Sequence, residues 1–120
     1  MRILGIDPGI ATIGFGVLDF EGREYKLQNC GVITTPVHNS LSSRLEQIYD
    51  DMLQLLELFK PDAVSIEELF FNTNITTGIA VAHGRGVILL AAIGYDVYQM
   101  SRRNNMKKKK LEESREAKRA

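Results

Sequence analysis

The sequence has a single cysteine, three prolines and no tryptophan among its 120 residues. Cys30 alone cannot form an intramolecular disulfide or a thiolate metal cluster, which predicts a reducing compartment. The sequence also lacks an uninterrupted apolar run of about 18 residues, the length that spans a bilayer, and a basic leader followed by an apolar stretch. We therefore expect a cytoplasmic protein without a membrane-inserted segment.

The composition is that of a folded protein. Apolar residues make up 44% of the chain, charged residues 25% and aromatic residues 8%, which are values close to globular averages and exclude disorder, a collagen-like fibre or a coiled coil for the chain as a whole. At roughly 150 residues per domain, this length allows one hydrophobic core. The sequence thus predicts one globular domain.

A formal net charge of zero conceals a strong asymmetry along the chain. Residues 1–100 hold 6 basic and 12 acidic residues, whereas residues 101–120 hold 9 basic and 3 acidic residues. The second segment is nearly free of apolar side chains and cannot contribute much to a core. We interpret residues 101–120 as a charged tail, disordered or partly helical, which is either simply solvated or attracts nucleic acid through its lysine run.

The apolar patterning predicts seven elements in the order βββαβαβ. Three strands joined by short turns indicate an antiparallel meander, and a strand that follows a helix can lie parallel to the first strand through a right-handed crossover. Ser43 and Glu46 have capping-box spacing near the start of the first helix. The sequence therefore predicts an α/β fold, a mixed sheet with helices packed on it. The predicted strands cover residues 2–7, 13–20, 25–33, 63–67 and 95–99, and the predicted helices cover 41–59 and 76–93.

Two carboxylates end two of these strands. Period-two alternation puts Gly5 and Asp7 on one face of the first strand, and Ser65 and Glu67 on one face of the fourth. If these strands are parallel neighbours, the two acids lie about 5 Å apart at the backbone, at the carboxyl ends where open α/β sheets bind ligands.

Adjacent carboxylates repel each other unless they share a cation, and Mg²⁺ or Mn²⁺ suits oxygen ligands. Such a site can activate water for phosphodiester hydrolysis, with two ions about 4 Å apart. The alternative is that Asp7 opens a proline turn and Glu67 is a solvated strand end.

Five segments, taken in order, resemble the RuvC family of bacterial Holliday junction resolvases over residues 1–98. An aspartate after an apolar strand with nearby glycines also opens YqgF-like nucleases and proteins of the actin and sugar-kinase group, but the glutamate segment and the Gly-Arg-Gly helix favour RuvC. The segments are Gly5-Ile6-Asp7-Pro8-Gly9, Gly14-Phe15-Gly16-Val17, Ser43-Arg44-Leu45, Ile66-Glu67-Glu68-Leu69-Phe70 and Gly84-Arg85-Gly86-Val87.

The resemblance implies a ribonuclease H-like fold, a homodimer, and Mg²⁺-dependent nicking of two symmetrically related strands of a four-way DNA junction. It also implies RuvA and RuvB, the branch-migration proteins, as partners. Asp7 and Glu67 match catalytic and metal-binding carboxylates of the family. Phe70 matches an aromatic residue that stacks on an unpaired base, although an aromatic residue at this position can also simply belong to the hydrophobic core. Arg85, between glycines, can approach a phosphate or the partner subunit closely, or form an ordinary surface ion pair.

The resemblance ends before the last 20 residues. The family continues with basic residues that contact DNA and a final helix with two more catalytic aspartates, whereas this sequence has no aspartate after Asp96. We therefore expect a C-terminally incomplete nuclease domain over residues 1–100, with two of the family's four acidic residues at its metal site. No separate organic cofactor is expected.

Three functional hypotheses follow. The first is a RuvC-type junction endonuclease that dimerises through the helix around Ile79 to Ile88. The second is a catalytically inactive, truncated remnant that only dimerises or binds DNA. The third is a nucleotide-binding protein of the actin and sugar-kinase type, in which Gly9 and the following glycines hold phosphates.

Overall fold

The computed structural model describes residues 1–68 and 75–119, which form one four-stranded sheet and two helices. The sheet has the strand order β3-β2-β1-β4, in which the first three strands pair antiparallel and β4 lies parallel to β1. The predicted mixed sheet with helices packed on it is confirmed. Its elements are β1 (Arg2–Asp7), β2 (Thr12–Glu21), β3 (Glu24–Thr34), α1 (Leu41–Phe59), β4 (Ala63–Ile66) and α2 (Ile75–Arg119).

Local signals set the boundaries of the hairpin and of the first helix. Gly22 has a φ of 63° in the turn between β2 and β3, a backbone conformation that glycine adopts without strain. Ser40, rather than the predicted Ser43, caps α1, because the Ser43 backbone N–H donates to the Ser40 Oγ at 3.3 Å. At the other end, Lys60 closes the helix in the left-handed conformation, and its N–H donates to the carbonyl oxygen of Leu56.

A single hydrophobic core lies between one face of the sheet and both helices. Alternate residues in the middle of β1 and β2 point into it, and α1 contributes side chains spaced by four residues. The other face of the sheet therefore carries Gly5, Asp7 and Ser65, and Glu67 follows directly after β4. The central members of the core are Leu4, Ile6, Ile13, Val17, Ile48, Met52, Leu56, Ile88 and Ala91.

The predicted fifth strand over residues 95–99 is wrong, because α2 continues through these residues to Arg119. Tyrosine and valine favour strands in general, but their preference depends on an available neighbouring strand. No proline interrupts the helix after Ile75, and a single Gly94 costs only about 1 kcal/mol relative to alanine. Residues 101–119 are helical and exposed throughout.

The apolar part of α2 has two unlike faces. By length and composition alone it is apolar enough to cross a membrane, a criterion that core helices of soluble proteins also meet. Ile88 and Ala91 are buried in the core. On the outside, large apolar side chains are exposed, namely Ile79, Leu90 and Ile93.

Candidate active site

Asp7 and Glu67 line the same pocket on the face of the sheet that the helices leave uncovered. The pocket is open to solvent and measures about 580 Å³, so it has room for a hydrated cation and a phosphate group. Both acidic residues are exposed. The pocket is lined by Gly5, Ile6, Asp7, Gly14, Phe15, Gly16, Ser65 and Glu67.

Strand pairing brings the two carboxylates together. In the parallel pair of β1 and β4, Ile6 is in register with Ile66, so Asp7 and Glu67 are the next residues along each strand. The Glu67 backbone N–H donates to the carbonyl oxygen of Ile6 at 3.1 Å, which extends the pairing by one residue. The two acids thus occupy neighbouring carboxyl ends, about 5 Å apart at the backbone.

Glycines form the floor of the pocket beside Asp7. Gly14 of β2 lies opposite Asp7, and a Cβ built on Gly14 would lie 3.6 Å from the Asp7 Cβ and 4.0 Å from its Oδ2. Gly5 and Gly16 also add no side chain to this face. The carboxylate of Asp7 is therefore approachable from the side of β2.

The donor set fits a hard divalent cation. Within residues 1–68 and 75–119, neither carboxylate has a hydrogen bond or an ion pair with a protein group. Two adjacent carboxylates with no cation between them from the described residues are the type of oxygen ligands that Mg²⁺ and Mn²⁺ select. No group of three His, Cys, Asp or Glu residues that could hold a metal ion converges within the described part of the chain.

The turn that follows Asp7 is held closely by α2. A Cβ on Gly84 would lie 2.6 Å from the carbonyl oxygen of Gly9, so only glycine allows the helix to approach the turn this closely. Gly9 itself is confined, since a Cβ there would collide with the carbonyl oxygen of Thr12.

A buried hydroxyl links the same turn to α1. Thr35 is the buried polar residue of the described chain, with 5% of its surface exposed. Its hydroxyl donates to the carbonyl oxygen of Ile10 and accepts from the Arg44 Nε at 2.9 Å, and its N–H donates to the carbonyl oxygen of Ala11 at 3.0 Å. Sequence reasoning missed Thr35, because the contact joins positions 25 residues apart and no local pattern signals it.

Arg85, predicted to contact DNA, contacts the backbone of Glu67. It is half-buried, and its Nε donates to the Glu67 carbonyl oxygen at 3.1 Å. The alternative of an ordinary surface ion pair finds no carboxylate partner among the described residues. Phe70, the second predicted DNA contact, lies outside the described residues.

An ion pair joins the amino end of β1 to the carboxyl end of β2, away from the pocket. The Arg2 Nε donates to the Asp19 Oδ1 at 2.8 Å, and Arg2 also donates to the Phe59 carbonyl oxygen at the end of α1. The hydrogen bond from Arg2 holds the pKa of Asp19 below its usual value. The pair stabilises the amino end of β1, whereas the candidate site occupies its carboxyl end.

Comparison with known proteins points to one family. The family model described as crossover junction endodeoxyribonuclease RuvC matches residues 3–118, which continues past Tyr98, where the predicted resemblance ends. A protein of that name from Brevibacillus brevis is 50% identical over 101 residues, covering 82% of this chain and 61% of the relative. One from Alkaliphilus oremlandii is 45% identical over 96 residues, covering 80% and 58%.

A solved structure agrees with these relatives. The structure of Thermus thermophilus RuvC in complex with a Holliday junction substrate is 32% identical and superposes with a TM-score of 0.74, covering 80% of this chain and 61% of that one. The fold of the structural relatives is ribonuclease H-like, as predicted. The chain spans about 60% of the length of the curated relatives that it matches.

Proposed function

This chain belongs to the RuvC family of crossover junction endodeoxyribonucleases, and we propose that it makes paired nicks in four-way DNA junctions during recombination and repair. The observation that supports the proposal best is the pair of exposed carboxylates, Asp7 and Glu67, in one pocket at adjacent strand ends. Each nick is a hydrolysis, in which water adds across a phosphodiester bond to leave a 5′-phosphate and a 3′-hydroxyl.

Asp7 and Glu67 are the catalytic residues and the metal ligands of this proposal, with Mg²⁺ as the metal and Mn²⁺ as a substitute. The bound ion lowers the pKa of water and neutralises charge that develops on the phosphate oxygens. The two side chains supply the anionic oxygens, and the glycine floor at Gly14 and Gly16 leaves space for the DNA backbone beside them.

We assign the DNA contacts to Phe70 and Arg85. An aromatic ring three residues after Glu67 can stack on an unpaired base, an interaction worth about 1 to 3 kcal/mol. The Arg85 Nε is engaged by the Glu67 carbonyl oxygen, whereas its two terminal amino groups have no hydrogen-bond partner among the described residues and are available to a phosphate.

A homodimer explains paired nicks, because a two-fold axis presents identical sites to two equivalent strands. The exposed apolar stripe of α2 supplies a surface for it, with small residues at Ala82 and Gly86 between Ile79, Leu90 and Ile93. Junction DNA, a second copy of the chain, and RuvA and RuvB are the partners that we propose, in the cytoplasm.

Cleavage of a synthetic four-way junction tests the proposal. We expect paired nicks with Mg²⁺, no cleavage of a linear duplex of the same sequence, and no cleavage by Asp7→Asn or Glu67→Gln. Asp50→Asn is the matched control, because Asp50 is an exposed acid on α1 away from the pocket. It should cut like the wild type.

The same assay distinguishes a junction nuclease from the second hypothesis, an inactive remnant. In the described residues, only two carboxylates line the pocket, so an inactive remnant that binds junctions is the competing function. Junction binding without nicks in either Mg²⁺ or Mn²⁺ would favour the remnant, and nicks unaffected by both substitutions would refute the assigned site.

A further inference from the structure

Each helix sends one arginine toward the backbone beside one of the two carboxylates. On α1, the Arg44 Nε donates to the Thr35 hydroxyl, which in turn donates to the carbonyl oxygen of Ile10, three residues after Asp7. On α2, the Arg85 Nε donates to the carbonyl oxygen of Glu67 itself. Arg85 thus contacts the main chain directly, Arg44 reaches it through the Thr35 hydroxyl, and neither hydrogen bond is made to a carboxylate.

The contacts fix segments that strand pairing alone does not hold. Residues 8–11 form the turn after β1, where the regular ladder has ended, and Thr35 binds two successive carbonyl oxygens of this turn, those of Ile10 and Ala11. Glu67 lies one residue beyond β4. Its N–H is held by Ile6 and its carbonyl oxygen by Arg85, so both backbone groups have partners.

Such restraint matters because two carboxylates on adjacent strand ends repel each other whenever both are ionised. Neither carboxylate has a protein partner in the described part of the chain, and like charges on adjacent strands favour separation of the strand ends. A cation can be bound tightly only if its ligands are already close, since otherwise binding must also order the turn and the strand end.

We propose that Thr35, supported by Arg44, and Arg85 are positioning residues that set the separation of Asp7 and Glu67 for divalent cation binding. Thr35 and Arg44 act on the Asp7 side, and Arg85 acts on the Glu67 side. This inference rests on the metal site of the proposed function and adds to it the residues that hold the ligands in place.

Binding of Mn²⁺ to the protein without DNA tests the inference, with the free ion followed by electron paramagnetic resonance. Thr35→Val removes the hydroxyl at nearly constant volume, and Arg85→Gln removes the donor to Glu67. We expect each to weaken Mn²⁺ binding at least about tenfold, the usual effect of removing groups that orient metal ligands. Thr35→Ser keeps the hydroxyl and should bind within about twofold of the wild type.

Arg23→Gln is the control for loss of charge, because it removes the same positive charge as Arg85→Gln but at the exposed turn between β2 and β3. It should leave Mn²⁺ binding unchanged. Circular dichroism and thermal unfolding of every variant separate loss of the fold from loss of positioning, and Arg85→Gln remains informative if Thr35→Val is unstable, because the Arg85 bond is exposed. Unchanged Mn²⁺ binding in folded Thr35→Val and Arg85→Gln would overturn the inference, as would absence of Mn²⁺ binding to the wild type.

The junction assay distinguishes a failure of this inference from a failure of the proposed nuclease function. Weakened Mn²⁺ binding in the variants of a protein that cuts no junction supports positioning and refutes the nuclease function. Cleavage by the folded variants with an unchanged requirement for metal supports the nuclease and refutes positioning. If both proposals hold, the Mg²⁺ concentration for half-maximal cleavage rises in both variants. Saturating Mg²⁺ then restores the rate of Thr35→Val, whereas Arg85→Gln stays slower because it has also lost its phosphate contact.

Discussion

Asp7 of β1 lies directly opposite Gly14 of β2, and a Cβ at position 14 would come within 4.0 Å of the Asp7 carboxylate. One methyl group at this distance makes an ordinary van der Waals contact, but a longer side chain would cover the oxygens. The strand that pairs with β1 thus controls access to the acid without contributing a functional group of its own.

Substitution of Gly14 by residues of two sizes tests this relationship. Gly14→Ala should retain most of the junction cleavage, whereas Gly14→Leu should lose it and also lose Mn²⁺ binding, because the leucine side chain occupies the space beside Asp7. Cleavage rates and Mn²⁺ titrations measure both effects, and thermal unfolding shows whether the fold persists. Equal activity in the two variants would mean that the floor of the pocket is not near the reacting phosphate.

The close approach of α2 to the turn after Asp7 predicts opposite effects for two glycines of the same helix. Gly84→Ala places a methyl group 2.6 Å from the Gly9 carbonyl oxygen, and overpacking of this kind costs about 1 to 3 kcal/mol. At Gly94 no atom lies within 4 Å of the added Cβ, so Gly94→Ala should stabilise the helix by about 0.5 to 1 kcal/mol. Urea unfolding measures both free energies, and a stable Gly84→Ala would contradict the packing.

Local patterns predicted the sheet and the approach of the two acids, but not the contacts that hold them. Alternation in β1 and β4 is sufficient to put Asp7 and Glu67 on one face, because the side-chain period of a strand is two. The Thr35 link and the Arg85 contact join residues distant in the chain, and no periodicity encodes them. The predicted fifth strand failed because a short apolar segment such as residues 95–99 does not by itself distinguish a strand from the continuation of a helix.

Acid should remove the contribution of Asp19 to stability. The hydrogen bond from Arg2 lowers the pKa of Asp19 in the folded state, so the unfolded state binds a proton more readily. The stabilisation is therefore fully present above the unfolded pKa of about 3.9 and is lost as the pH falls through the lower folded value. Unfolding free energies at pH 6 should be higher for the wild type than for Asp19→Asn, and the difference should vanish in strong acid. A difference that grows with acidity would contradict this assignment.

The apolar stripe of α2 predicts that a charge at Leu90 disrupts the proposed dimer. Leu90→Lys should shift the protein to monomer in sedimentation velocity, because a lysine at a symmetric interface meets its own copy or loses its hydration there. Leu58→Lys is the matched control, since Leu58 on α1 is similarly exposed, at 71% against 64% for Leu90. If both variants sediment like the wild type, the stripe does not mediate association.

The exposed end of α2 predicts a strong salt dependence of DNA binding. Residues 1–100 are acidic, with 6 basic against 12 acidic residues, and repel a duplex, whereas Lys107, Lys108, Lys109 and Lys110 are exposed on the final part of the helix. Replacing these four lysines with glutamine should weaken binding and reduce the slope of log K against log salt by up to about 3.6, since each neutralised phosphate contributes roughly 0.9. Lys26→Gln, on an exposed edge strand, should change this slope by no more than about 0.9, the contribution of one phosphate contact. An unchanged slope in the fourfold variant would mean that the attraction for DNA comes from another part of the protein, since counterion release depends only on the cations that reach the phosphates.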